Sequence, residues 1–202
     1  MSMDKLPLME QFVTLQGEGY HTGRSAVFIR LGGCDVGCVW CDVKESWNAN
    51  AHTLVSIGEI IDNTNKYSTD FIVITGGEPT LYDITRLVQG LKKEKKYIAI
   101  ETAGTNPIPD KIDWVCFSPK KFKKPLESVY NRLDELKVVV YHPSDLQWAL
   151  EQAEKINKVD VNYYLQPEWS RTDEHLPIIL DFIESHPKWK LSLQTHKYLN
   201  IP

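Results

Sequence analysis

The sequence predicts an α/β fold with a mainly parallel sheet, wound as a partial (β/α)6-type barrel. Three observations carry that expectation. Short apolar segments alternate with amphipathic ones along the whole chain, as in repeated strand–helix units. The chain has 202 residues. A complete eightfold barrel typically takes about 250, so roughly six strands fit better. Each chemically distinctive motif also falls just after an apolar segment, and parallel α/β folds gather their sites at the carboxyl ends of strands.

The strands are expected at 10–14, 26–31, 71–75, 97–102, 114–118, 134–140, 161–166 and 189–194, many on runs rich in Val, Ile and aromatic residues. Ser56 followed by Glu59 reads as a capping box opening a helix to about Tyr67, with Ile57, Ile60 and Ile61 on one face. Asp83 opens the next helix, where Ile84, Leu87, Val88 and Leu91 recur at helical spacing. Ser144 and Gln147 form a second capping box, before a face of Leu146, Ala149, Leu150 and Ala153. Leu176, Ile179, Leu180 and Ile183 mark the last helix. No repeat, low-complexity stretch or linker interrupts this series, so one domain over residues 1–202 is expected.

Composition narrows the class of function. With 42% hydrophobic and 25% charged residues, the chain has enough apolar content for a real core. A net charge of −4 and the lack of an extended basic block argue against a nucleic-acid partner. The longest apolar runs, such as Phe71-Ile72-Val73-Ile74, are far too short for a membrane span. The N-terminus carries no signal-peptide stretch, so a cytoplasmic location is expected. Thiols stay reduced there, and four cysteines then suggest metal binding or catalysis before disulfides.

Residues 32–43 read GGCDVGCVWCDV, placing Cys34, Cys38 and Cys41 within eight residues. Gly32, Gly33 and Gly37 let the backbone fold tightly around an inorganic core. Three thiolates can ligate three irons of a [4Fe–4S] cubane, leaving the fourth iron open to a small molecule. The amino and carboxylate groups of S-adenosylmethionine can chelate that iron, and one electron then yields a 5′-deoxyadenosyl radical. A structural zinc site would need Cys116 as its fourth ligand. Cys116 sits in WVCFS, mid-strand, where a small buried hydrophobe is the simpler reading. No cysteines remain for a second cluster.

Further motifs close the other strands. Thr75-Gly76-Gly77-Glu78-Pro79 follows strand 71–74, where glycines allow close backbone approach to a ligand or simply make a turn. Glu101, in ETAGT, points either to solvent or into the barrel mouth; taken alone, exposure is the ordinary case for a glutamate. Ser118-Pro119-Lys120 offers a hydroxyl and a cation, although Lys120 also heads a lysine-rich loop. Gln166-Pro167-Glu168 and Gln194-Thr195-His196-Lys197 end the last two strands. Each motif alone is weak, but together they form one series at strand ends.

The CxxxCxΦC pattern, with Trp40 before the third cysteine, resembles the signature of the radical S-adenosylmethionine superfamily. The flanking segments narrow the resemblance. Gln16-Gly17-Glu18-Gly19, Gly23-Arg24 and Phe28-Ile29-Arg30, followed by ETAGT, SPK, ELKVV, LQPE and QTHKYLNIP, are similar to the 7-carboxy-7-deazaguanine synthase family. The likeness runs from about Met9 to Pro202. It implies a homodimer that converts 6-carboxy-5,6,7,8-tetrahydropterin to 7-carboxy-7-deazaguanine with loss of ammonia, in queuosine biosynthesis. It also implies S-adenosylmethionine as a regenerated cofactor and a flavodoxin-type or other one-electron donor. A glycyl-radical enzyme activase is the alternative, with a similar cluster loop but a protein substrate.

By the same resemblance, Leu15, Gln16, Gly17, Arg30, Thr75 and the carboxylate of Pro202 bind the pterin. Glu101 and Arg30 act on it, and Arg30 suits a bidentate pair with the pterin carboxylate. Trp40, Cys41, Asp42, Gly77, Ser118, Pro119, Lys120, Gln166, Pro167, Glu168 and Trp169 hold the S-adenosylmethionine. The family also implies Mg²⁺, commonly ligated by a Thr or Ser after Cys-Asp. This chain has Val43 there, so the ion would rely on the substrate carboxylate and waters.

Overall fold

A computed structural model describes residues 4–202. The first three residues of the expected domain and N-terminus lie outside them. The strands are β1 (Lys5–Leu15), β2 (Ser25–Leu31), β3 (Thr53–Ser56), β4 (Phe71–Gly76), β5 (Tyr97–Thr102), β6 (Trp114–Phe117), β7 (Glu135–Val140), β8 (Asn162–Pro167) and β9 (Trp189–Leu191). They form one sheet in the order β3-β1-β2-β4-β5-β6-β7-β8-β9. From β2 through β9 the pairings are parallel, while β1 pairs antiparallel with both β2 and β3. The sheet does not close: among the described strands no ladder joins β9 to β1 or β3. It is a partial barrel, as expected, with an antiparallel flap that sequence alternation did not reveal.

Residue alternation explains the two cores. Ile72, Ile74, Ile98, Ile100, Val115, Phe117, Leu136, Val138 and Leu165 are all buried, and they share one core with residues of the helices. Their alternates include Phe71, Val73 and Ala99, which pack with Ala26, Phe28, Tyr97 and Trp114 as a second, smaller cluster inside the curve of the sheet. Strands buried on both faces read as continuous apolar runs, which is why they were easy to locate.

The helices that cover the sheet are α1 (Ile57–Thr64), α2 (Thr85–Lys93), α3 (Ser144–Ala153), α4 (Thr172–Ser185) and α5 (Thr195–Leu199). Ser56 caps α1 as expected, its hydroxyl accepting from the Glu59 amide at 3.2 Å. The expected capping box at Ser144 does not form. Ser144 is already the first helical residue, and the nearly buried Asp145 carboxylate accepts from the Tyr141 and His142 amides instead, at 2.9 and 2.8 Å. α4 is not the last helix. The strand expected over 189–194 stops at Leu191, and Thr195 starts α5.

The loop between β1 and β2 spans the open side of the barrel. The Gly19 amide donates to Ser192 Oγ at 2.9 Å, and the Thr195 amide donates to the Gly17 carbonyl at 2.9 Å. A Cβ on Gly17 would lie 2.1 Å from His196 Nδ1, so any larger residue here would have to displace the His196 side chain. The QGEG segment thus joins the first strand to the last helix and walls the cavity that the sheet leaves open.

Candidate active site

One cavity takes residues from almost every strand end. Its lining includes Cys34, Cys38 and Cys41 from the loop after β2, and Thr75 and Gly77 from the end of β4. Glu101, Ser118 and Lys120, Gln166 through Trp169, and Pro202 complete the circuit. Leu15, Gln16, Gly17, Arg30, Trp40, Cys41 and Asp42 lie in it too. Of the residues expected at the site, Pro119 alone is not part of the lining; it is buried behind Ser118 and Lys120.

The cysteine loop is anchored by backbone bonds. The Gly33 and Cys34 amides donate to the Ser46 and Trp47 carbonyls, and the Cys41 amide donates to the Cys38 carbonyl. The Gly77 and Glu78 amides donate to the Leu31 and Gly33 carbonyls at 3.0 and 2.9 Å, which locks the GGEP turn against the loop. A Cβ on Gly77 would come within 2.3 Å of the Gly33 oxygen and 2.6 Å of Cys34 Cβ. Glu78 is structural. It is buried and accepts from Thr80 Oγ1 and Thr102 Oγ1, both at 2.6 Å, and from the Ala103 amide at 2.8 Å.

The donor set fits an iron–sulfur cubane. Three free thiols face one cavity, and Cys116 lies outside its lining. A four-cysteine zinc site would need a fourth thiol beside these three, and Cys116 is buried in β6 instead. A cubane asks instead that each thiolate take a different iron. Burial pushes the Cys38 thiol up to about 11, and the neighbouring Cys41 and Cys34 add to the rise while Lys120 opposes it. Thiolates crowded in this way need a cationic core to stay ionised.

Beside the loop, the Lys120 ammonium bonds Ser118 Oγ at 2.8 Å and sits 5.6 Å from the Trp40 ring centroid. Trp40 stacks on Tyr141 at 6.3 Å. Deeper in the barrel lies a polar chain that sequence reading missed. Lys137, 3% exposed, bonds Glu18 Oε2 at 2.5 Å and Glu101 Oε2 at 2.8 Å. Gln16 Nε2 donates to Glu101 Oε1 at 3.2 Å, and Gln194 Nε2 donates to Glu18 Oε1 at 2.8 Å. Burial alone would raise the Glu18 carboxyl, but the Lys137 ammonium, the bond from Gln194 and the nearby His196 together outweigh it and hold the group at about 2. Burial also opposes the charge on Lys137, yet the acidic groups around it lift it well above the usual lysine value. Glu101 therefore points into the barrel, held from two sides, rather than out to solvent.

The radical SAM superfamily model matches residues 28–183. A 7-carboxy-7-deazaguanine synthase of Flavobacterium psychrophilum is 53% identical over 199 residues, covering 98% of this chain and 94% of that protein. The chain belongs to the 7-carboxy-7-deazaguanine synthase family of radical SAM proteins. Synthases of this name from Synechocystis sp. and Escherichia coli K12 are 42% and 33% identical over 96% of the chain, which covers 93% and 98% of them. The crystal structure of QueE from Escherichia coli superposes with a TM-score of 0.82 at 30% identity, covering 94% of this chain and 93% of that one. The radical SAM family implies a [4Fe–4S] cluster and S-adenosylmethionine. No helix among the described residues is long and apolar enough to cross a membrane.

Proposed function

We propose that this chain converts 6-carboxy-5,6,7,8-tetrahydropterin to 7-carboxy-7-deazaguanine with loss of ammonia, within queuosine biosynthesis. One observation carries the reading: the three cluster thiols and the residues expected at the pterin, Gln16, Arg30, Thr75, Glu101 and Pro202, line the same cavity. Near-full-length relatives bearing the synthase name favour it over the activase alternative. A single radical SAM domain is the unit we infer.

S-adenosylmethionine held at the cluster supplies the radical chemistry. The chain's own residues supply recognition. Arg30 presents a guanidinium to the pterin carboxylate, a geometry suited to paired hydrogen bonds. Glu101, fixed by Gln16 and Lys137, presents carboxylate oxygens to donor groups on the pterin ring. Trp40, Asp42, Gly77, Ser118, Lys120 and the Gln166–Trp169 segment are assigned to the cofactor.

Magnesium finds few ligands on the protein. Val43 carries no oxygen on its side chain, and Asp42 Oδ2 already accepts from Lys197 Nζ at 2.7 Å. An ion at this position would bind through the substrate carboxylate and water. Family resemblance supports a homodimer and a flavodoxin-type one-electron donor. Free thiols in the cavity agree with a reducing, cytoplasmic setting.

The direct test is anaerobic incubation of the reduced, cluster-loaded protein with carboxytetrahydropterin and S-adenosylmethionine, followed by mass spectrometry. The expected product is 7-carboxy-7-deazaguanine, and S-adenosylmethionine is recovered. Cleavage of S-adenosylmethionine with no conversion of the pterin would overturn the assignment.

A further inference from the structure

The pairing of β1 with β2 contains one irregularity, and it lies beside Arg30. Leu8 pairs with Leu31, but the next pair is Glu10 with Arg30, so Met9 is an extra residue in β1. From Glu10 the register then runs regularly to Leu15 opposite Ser25. Without the extra residue, Met9 would stand opposite Arg30 and Glu10 opposite Ile29. Cross-strand partners share a face of the sheet, and a slip of one residue moves every side chain to the other face. The bulge therefore brings Glu10, Phe12 and Thr14 onto the face that carries Phe28 and Arg30. Phe12 stacks on Phe28 with centroids 5.5 Å apart, and Phe12, Thr14, Phe28 and Arg30 all line the cavity.

Glu10 Oε1 accepts from Arg30 Nε at 2.5 Å. The bond uses the nitrogen within the side-chain stem and leaves both terminal nitrogens, Nη1 and Nη2, without a protein hydrogen bond among the described residues. An arginine has five donors in a rigid plane, so fixing Nε fixes where the Nη pair points. A β-bulge next to a site commonly serves to re-aim a side chain.

We propose that Glu10, brought opposite Arg30 by the Met9 bulge, is a positioning residue that aims the Arg30 guanidinium at the substrate carboxylate. Glu10 touches neither substrate nor cofactor; it acts through Arg30. The inference rests on the proposed role of Arg30 in holding that carboxylate. Its consequence is selectivity: the chain distinguishes carboxylated from uncarboxylated tetrahydropterin better with Glu10 in place than without it.

The experiment measures dissociation constants of both pterins on the anaerobic, cluster-loaded protein and takes their ratio. Glu10 is 44% exposed on its side chain, so the fold should tolerate replacement, and thermal midpoints check this. Glu10→Met should lower the ratio about tenfold by releasing the guanidinium, with binding of the uncarboxylated pterin unchanged. Glu10→Gln keeps an oxygen for Nε and should lower it by less than about threefold. Arg30→Lys removes Nε and should collapse the ratio, after which adding Glu10→Met should cost nothing more. An unchanged ratio in Glu10→Met, or the same loss in the Arg30→Lys background, would overturn the role of Glu10. A parent-like ratio in Arg30→Lys alone would instead overturn the reading of Arg30. A merely structural cross-strand pair would lower the thermal midpoint and leave the ratio where it was.

Discussion

Cys34, Cys38 and Cys41 face one cavity, whereas Cys116 is 3% exposed within β6, where burial raises its thiol well above the ordinary value. Replacing any of the first three with Ala should remove iron and turnover together, and Cys116→Ala should keep both. Iron and sulfide content of the four variants decides the matter, and loss of the cluster from Cys116→Ala would end the assignment. Val43 supports a second expectation at this scale. Activity should depend only weakly on Mg²⁺, and Val43→Thr should strengthen the dependence by restoring a hard oxygen. A Mg²⁺ titration showing equal, strong dependence in both proteins would make the side chain at 43 irrelevant. All the residues expected at the site except Pro119 line one cavity, because loop motifs at strand ends keep their partners close in sequence. Lys137 and its link to Glu18 were not legible in the sequence. A lysine in a strand ordinarily reads as surface, and this pair lies 119 residues apart.

At the scale of elements, the end of β4 and the cysteine loop behave as one unit. Gly77 lies where any side chain would strike Gly33 and Cys34. Gly77→Ala should displace the cluster loop, cost roughly 1–3 kcal/mol of stability and lower iron content after reconstitution. Denaturant midpoints together with iron analysis test this, and parent values for both would show that the loop yields without cost. The same scale shows where pattern reading reached its limit. Ser56 and Ser144 present the same S-x-x-E/Q signal, yet only Ser56 caps its helix. At α3 the carboxylate of Asp145 reaches the Tyr141 and His142 amides first, and no short pattern records that competition. The β1 bulge was equally hidden, since register depends on the partner strand. In α4, Leu180 continues the apolar spacing yet is 44% exposed, whereas Ile179 is fully buried.

For the whole molecule, the open barrel has to be closed by something other than a ladder, and the loop over 16–24 does this against β7 and the chain after β9. Glu135, the first residue of β7, lies beneath that loop. It is 2% exposed, and its Oε2 accepts from Trp114 Nε1 at 3.1 Å and the Tyr20 amide at 3.2 Å. Its Oε1 is buried, faces Gly19 and has no hydrogen-bond partner among the described residues. Burial pushes this carboxyl up to about 7; Glu101 adds to the rise, while Lys137 and the bonds from Trp114 and Tyr20 oppose it. In the unfolded chain a glutamate titrates near about 4.3. Between those values the folded protein holds a proton that the unfolded chain has released, so stability falls as pH rises across the window. The contribution is complete below the unfolded value and lost once pH passes about 7. Glu135→Gln is neutral throughout, and its amide oxygen can still accept from Trp114 and Tyr20. Relative to the parent, this variant should gain on the order of 1–3 kcal/mol between pH 5 and pH 8. Urea unfolding of both proteins across that range, with cluster content held equal, measures the difference. Curves that stay parallel would mean that Glu135 does not take up its proton within the window, and that the closing loop tolerates a buried carboxylate.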